Sequence, residues 1–256
     1  MNNRTLRVRF QEKICYVQFH RPEANNAVND ELIEEFHQVL HVCEQESVTV
    51  VVLEGSPEVF CWGADFGEIH KKMDEGSSTG SDPESLYDLW LRLATGPYIT
   101  IAHVRGKVNA GGVGFVAACD VVIADDTAQF SLSELLFGLF PACVLPFLIR
   151  RIGVQKAHYF TLMTWPVHIQ QAHAWGLVDA YDTKSEPLLR KHLRRLKCLP
   201  ESGIAQYKRY MHSINDSLYQ SKSAALSSNR EMFMNQQNLE RIYTYVETGY
   251  FPWEQR

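Results

Sequence analysis

No apolar run in this chain approaches the ~20 residues that a helix needs to cross a bilayer, so no membrane-spanning role is expected. The opening MNNRTLRVRF has neither the apolar centre nor the small-residue cleavage site of a secretory leader, and a cytoplasmic location is expected. The six cysteines, Cys15, Cys43, Cys61, Cys119, Cys143 and Cys198, stand singly with no CxxC spacing, which favours free thiols over disulfides. Metal motifs are missing too. Among ten histidines only His37 and His41 lie one helical turn apart, without the glutamate of HExxH or a third ligand, so no metal is expected. There is no basic excess: 25 Lys+Arg against 30 Asp+Glu give a net charge of −5, which argues against nucleic acid as partner. What remains is a chain of 256 residues, 45% hydrophobic and 21% charged, with the makeup of a folded domain.

The order of elements indicates an α/β protein. Leu6–Phe10 and Ile14–Phe19 alternate as strands, and Pro22 ends the second. Asn29 suits the cap of an amphipathic helix carrying Leu32, Ile33, Phe36, Val39, Leu40 and Cys43 on one face. Val48–Leu53 is almost wholly apolar, as a strand covered on both faces must be. Asp74–Pro83 is rich in Ser and Gly and reads as a loop. A helix over Ser85–Ala94, the strand Tyr98–Val104, a small-residue helix ending near Cys119, and the strands Val121–Ala124 and Ala128–Phe130 follow. Beyond about Ser133 only helices are expected, over Pro141–Ile152, Val154–Met163, Ile169–Gly176, Glu186–Leu196, Gly203–Ile214 and Ser217–Met234.

Two segments bear on chemistry. In Val59-Phe60-Cys61-Trp62-Gly63-Ala64-Asp65-Phe66 and in Val104-Arg105-Gly106-Lys107-Val108-Asn109-Ala110-Gly111-Gly112-Val113-Gly114, small residues stand at or just before a helix start. Such a position leaves backbone N–H groups free and the space above them open. Free donors of this kind form an oxyanion hole, and losing one typically costs roughly 10²–10³ in rate. The plainer alternative is that Gly63, Gly111 and Gly112 serve only tight turns and close packing.

Taken together, His20-Arg21-Pro22-Glu23-Ala24-Asn25-Asn26-Ala27, the CWGAD and GKVNAGG segments, and Phe130-Ser131-Leu132-Ser133-Glu134 resemble the enoyl-CoA hydratase/isomerase (crotonase) family in order and spacing. The likeness covers most of the chain and continues through Gly153 and Ala172–Val178. It implies the crotonase fold, with stacked ββα turns over residues 1–195 and a helical C-terminal trimerisation region over 196–256, as a homotrimer or hexamer. It further implies that the backbone amides of Ala64 and Gly111 bind a thioester carbonyl. Gly63, Asp65 and Gly112 are then substrate-binding positions, although Asp65 equally suits the first turn of a helix. No cofactor is implied.

Hydratases of this family commonly use two glutamates. The first falls at Gly114 here and is missing; the second falls at Glu134 and is present. Locally, Ser131-Leu132-Ser133-Glu134 has the form of a capping box, which would occupy the glutamate with backbone. The resemblance instead makes Glu134 the catalytic carboxylate, with a pKa raised by Leu132, Leu135 and Leu136, acting as acid, base or both. Asn109 is a second catalytic candidate that could hold a hydroxyl or water, with turn stabilisation as its alternative. Decarboxylating relatives place Tyr and Lys where this chain has Glu68 and Lys72, which read as an ordinary i,i+4 surface pair.

Many CoA-binding relatives carry a lysine two residues after the aspartate of GAD, where Gly67 stands. That departure points to a phosphopantetheine arm on an acyl carrier protein (ACP) as the handle. Arg190, Lys191, Arg194, Arg195 and Lys197 would steer an acidic carrier, or would simply be a solvated face. The segments FHRPEANN, VVVLEG, SLSELLFGL, PACVLPFLIRRIG and YVETGYFPWE resemble the dehydratases of polyketide β-branching cassettes, particularly the bacillaene type. The implied reaction is loss of water from 3-hydroxy-3-methylglutaryl-ACP to give 3-methylglutaconyl-ACP. Open alternatives are the partner decarboxylase, a short-chain enoyl-CoA hydratase, and a non-catalytic carrier-binding scaffold.

Overall fold

The computed structural model describes residues 3–74 and 82–254, with the side chains of residues 72–74 left outside that description. The elements in chain order are β1 Leu6–Gln11, β2 Ile14–Phe19, α1 Asp30–Gln45, β3 Val50–Glu54, β4 Val59–Cys61, α2 Phe66–Asp74, α3 Pro83–Thr95, β5 Ile99–Val104, β6 Lys107–Asn109, α4 Gly111–Ala118, β7 Val121–Ala124 and β8 Gln129–Ser131. They continue with α5 Leu145–Ile152, α6 Val154–Met163, β9 Val167–His168, α7 Ile169–Trp175, β10 Ala180–Tyr181, α8 Ser185–Leu196, α9 Glu201–Ile214, α10 Ser217–Met234 and α11 Gln236–Thr248.

Two sheets result. One runs β1-β2-β3-β5-β7-β10 and the other β4-β6-β8-β9. Three times the chain lays a strand in the first sheet, then one in the second (β3–β4, β5–β6, β7–β8). The first two passes go on into helices, α2 with α3 and then α4; the third enters a short 3-10 turn, Glu134–Phe137. This is the stacked ββα architecture expected. Pairing is parallel along β2-β3-β5-β7 and along β4-β6-β8, as crossover connections require.

Val50, Val51, Val52 and Leu53 have no exposed surface, because β3 is covered on both faces. Val51 and Leu53 pack with Phe36 of α1, Trp90 of α3 and Phe115 of α4 in the main core. Val50 and Val52 pack on the other face with Leu189 and Leu193 of α8. Asn29 caps α1 through its side chain, which accepts from Leu32 N. All six cysteines are unbridged.

Several expectations need correction. Strand structure does not stop at Ser133: β9 and β10 follow, but two-residue strands are too short to leave a periodic signal. Helix α11 was not anticipated, since Gln236–Thr248 mixes polar, aromatic and β-branched residues. Pro141–Val144 is a turn, and the helix begins at Leu145, where Pro146 suits its first turn. Of the loop expected over Asp74–Pro83, residues 75–81 lie outside the described part, as does the side chain of Lys72. No described helix is long and apolar enough to cross a membrane.

Candidate active site

The adjacent parallel strands β4 and β6 deliver Gly63-Ala64 and Ala110-Gly111 side by side. How closely they approach is set by glycines. A Cβ on Gly63 would lie 2.7 Å from Ala110 Cβ and 3.0 Å from Gly111 N, and Gly63 also has φ +93°. A Cβ on Gly112 would lie 2.3 Å from the Cys61 carbonyl oxygen. Any side chain at either point would wedge the two segments apart.

Val28 completes the first segment by donating to Gly63 O at 2.7 Å and accepting from Asp65 N at 3.1 Å. The Ala64 amide between them has no backbone acceptor among the described residues. Gly111 opens α4, so its amide has no intrahelical partner and sits at the positive end of the helix. Ala110, not a glycine, carries the strain before it, with φ 49° and ψ −120°. Such a backbone costs about 1–3 kcal/mol and persists only where its surroundings enforce it. Here Ala110 N donates to Ser131 O at 3.0 Å, and Ala110 O accepts from Val113 N at 2.9 Å.

Ala64, Asn109, Gly111 and Glu134 all line one cavity of about 840 Å³. Glu134 begins the 3-10 turn Glu134–Phe137. The capping box of the local sequence does not form. Ser131 belongs to β8, with its hydroxyl donating to Asn109 Oδ1 at 2.8 Å, and Ser133 makes no side-chain cap. Glu134 Oε2 is cut off from water without a hydrogen-bond partner. Burial pushes the carboxyl up to about 7, only partly offset by a hydrogen bond to its own backbone. Of the expected leucine enclosure only Leu132 is buried, whereas Leu135 is exposed. Phe137 lines the same cavity and packs edge-on against Phe66 and Tyr245.

The other sequence candidates divide. Asn109 is buried, and its amide donates to Ser133 Oγ at 3.0 Å and to Trp62 O at 3.4 Å while accepting from Ser131. Its polar atoms are thus committed to bracing the two segments against β8, which is the turn-stabilising alternative. Asp65 accepts from Glu68 N at 3.0 Å and from Arg21 Nη2 at 2.8 Å, so its carboxylate caps α2 and anchors Arg21. Arg21 donates onward to Ala27 O at 2.6 Å, and Asn26 Nδ2 donates to Val59 O at 2.9 Å. That explains the HRPEANNA segment: it clamps the loop over β4.

Gly114 has a physical reason that the sequence did not reveal. A Cβ there would lie 2.5 Å from the fully buried Trp90 ring, so an indole fills the space beside the vacant carboxylate position. Sequence reasoning also missed the cavity wall supplied by the last two helices, including Arg230, Phe233 and Tyr245. The basic run of α8 is exposed and on the face of the first sheet opposite α1, α3 and α4. Among the described residues, Glu54, His103 and Glu186 are near enough to share a metal ion. They lie outside the cavity lining, and both ring nitrogens of His103 are taken, by Glu54 at 2.9 Å and Ser185 at 2.8 Å.

Comparison with known proteins bears on the fold and the family. The family model for enoyl-CoA hydratase/isomerase matches residues 9–256. The chain is 63% identical to the bacillaene synthase dehydratase PksH of Bacillus subtilis over 98% of this chain and 96% of that protein. It is 31% identical to the 2,3-dehydroadipyl-CoA hydratase of Escherichia coli over 66% of each. A solved Bacillus subtilis structure described as a polyketide-biosynthesis enoyl-CoA hydratase superposes with TM-score 0.96 at 62% identity, covering 98% of this chain and 100% of that one. The chain therefore belongs to the enoyl-CoA hydratase/isomerase family, as a hydro-lyase built on the crotonase fold.

Proposed function

We propose that the chain removes water from 3-hydroxy-3-methylglutaryl-ACP to give 3-methylglutaconyl-ACP. Its identity with a bacillaene synthase dehydratase supports a dehydratase role in polyketide biosynthesis. The observation that carries the chemistry is the pairing, in one cavity, of two free amides with a single carboxylate whose Oε2 has no partner.

In this reading the amides of Ala64 and Gly111 hold the thioester oxygen. The Glu134 carboxylate takes a proton from the α-carbon, and negative charge collects on that oxygen. The enolate then collapses to the α,β double bond as the β-carbon–oxygen bond breaks. Glu134 returns its proton to the departing hydroxyl, which leaves as water. One carboxylate suffices because the proton removed is the proton returned, and a pKa near 7 populates both of its forms. Asn109 is a positioning residue, and Gly63, Asp65 and Gly112 keep the substrate-binding segments in register. We also take residues 1–195 as the ββα core and 196–256 as the helical region. The assembly is then a homotrimer or hexamer in the cytoplasm, working on a phosphopantetheine-linked substrate.

Intact mass spectrometry of 3-hydroxy-3-methylglutaryl-ACP, incubated with the native chain and with Glu134→Gln, tests the reading. Loss of one water with the native chain alone supports it. Loss with both keeps the reaction but rejects Glu134. No change with either folded protein defeats the dehydratase assignment in favour of a decarboxylase or scaffold.

A further inference from the structure

The charged side chains among the described residues that line the cavity are Asp65, Glu68, Asp82, Glu134 and Arg230. Four are acids, and Arg230 is the one cation among them. It projects from α10, whereas the two free amides come from the segments after β4 and β6. Its Nη2 donates to Asp82 Oδ1 at 3.1 Å and lies 3.7 Å from Glu84 Oε2, just before and within the first turn of α3. Nη1 and Nε make no hydrogen bond among the described residues. Among the described residues the acids thus hold one nitrogen of the guanidinium and leave the rest of its donor fork open.

The substrate of the proposed reaction carries a carboxylate at the end remote from the thioester. The apolar part of the cavity wall, with Phe137, Leu139, Val144 and Phe233, offers that group little solvation, and Arg230, half-exposed, offers it a charged partner where the cavity meets solvent. A carboxylate in such surroundings needs a charged, hydrogen-bonding partner. The remaining charges would repel it.

We propose that Arg230 binds the distal carboxylate and selects acyl groups that carry one, while Asp82 and Glu84 hold its Nη2. This inference rests on the dehydratase reading. It predicts which thioester is chosen and leaves the proton transfers to Glu134.

The test compares kcat/KM for 3-hydroxy-3-methylglutaryl-ACP with that for its distal methyl ester on the same carrier, for the native chain, Arg230→Met and Arg230→Lys. The preference of the native chain for the acid over the ester should fall by about 3- to 10-fold in Arg230→Met, the range for a charge-assisted hydrogen bond discounted for a half-exposed guanidinium. Arg230→Lys should recover part of it. A preference unchanged in a folded Arg230→Met protein overturns the assignment. The second measurement needs no turnover: binding of glutaryl-pantetheine against its methyl ester, by calorimetry, to the native chain and to Arg230→Met. Tighter binding of the acid by the native chain that is lost in Arg230→Met supports the role of Arg230; equal binding by the native chain, or a preference kept in Arg230→Met, refutes it. Absence of turnover with either thioester would count against the dehydratase reading alone, because the binding comparison still decides Arg230.

Discussion

Replacing Glu134 by Gln should change the pH dependence of stability as well as the chemistry. The carboxyl is raised from an ordinary 4.5 to about 7, chiefly by desolvation. The folded chain therefore holds this proton to higher pH than the unfolded chain does. The stability tied to the protonated group is fully present below the unfolded value of 4.5 and is lost as pH climbs through about 7. Above that it stays constant. At about 1.36 kcal/mol per pKa unit, the loss is about 3 kcal/mol between acid pH and pH 8. Glutamine has no such titration, so the variant should gain on the native chain as pH rises. For a chain of this length the gain is about 6–12 °C in Tm. The assay is thermal unfolding of both proteins from pH 4.5 to 8.5, read as the difference in Tm. A difference that stays flat across that range would show that Glu134 is solvated when folded, and the acid–base role built on its environment would go with it. In the native chain the pH–rate profile of kcat/KM should inflect near the same point.

Two further expectations test the framework of the site, and a third tests how α9 is held to the core. Gly112→Ala would set a methyl 2.3 Å from the Cys61 carbonyl oxygen and part the two segments, costing about 10²–10³ in kcat; a loss under five-fold would mean the segments tolerate separation. Gly114→Glu does not restore a two-carboxylate hydratase, because the new side chain meets the Trp90 ring at 2.5 Å; overpacking should lower stability by about 1–3 kcal/mol, and a stable variant that gains hydration of an unbranched enoyl-CoA would contradict this. Lys208 of α9 reaches Asp120 Oδ2 at 2.6 Å and Tyr98 O at 3.1 Å from a buried position, so Lys208→Met should cost about 2–3 kcal/mol in urea unfolding, and a neutral result would show that the pair adds nothing.

Local patterns were legible wherever one short stretch of chain meets its environment alone. The apolar run at Val48–Leu53 announced a strand buried on both faces, which β3 forms from Val50. The segment Ser217–Met234 was read as a helix with the bounds that α10 has. Gly63 and Gly112 were legible as positions of tight turn and close packing, and the motif order carried the family. Those features depend on backbone preference and periodicity, which a sequence displays directly. Tertiary structure decided the rest. It gave Ser131 to a strand and so broke the apparent capping box, leaving Glu134 in apolar surroundings. It placed strained, positive-φ backbone at Ala110 as well as at Gly63. It filled the space beside Gly114 with Trp90 and brought Arg230 to the cavity wall. Each of these outcomes joins residues far apart in the chain, where no local propensity records which side chain will occupy the space or which atom will be left without a partner.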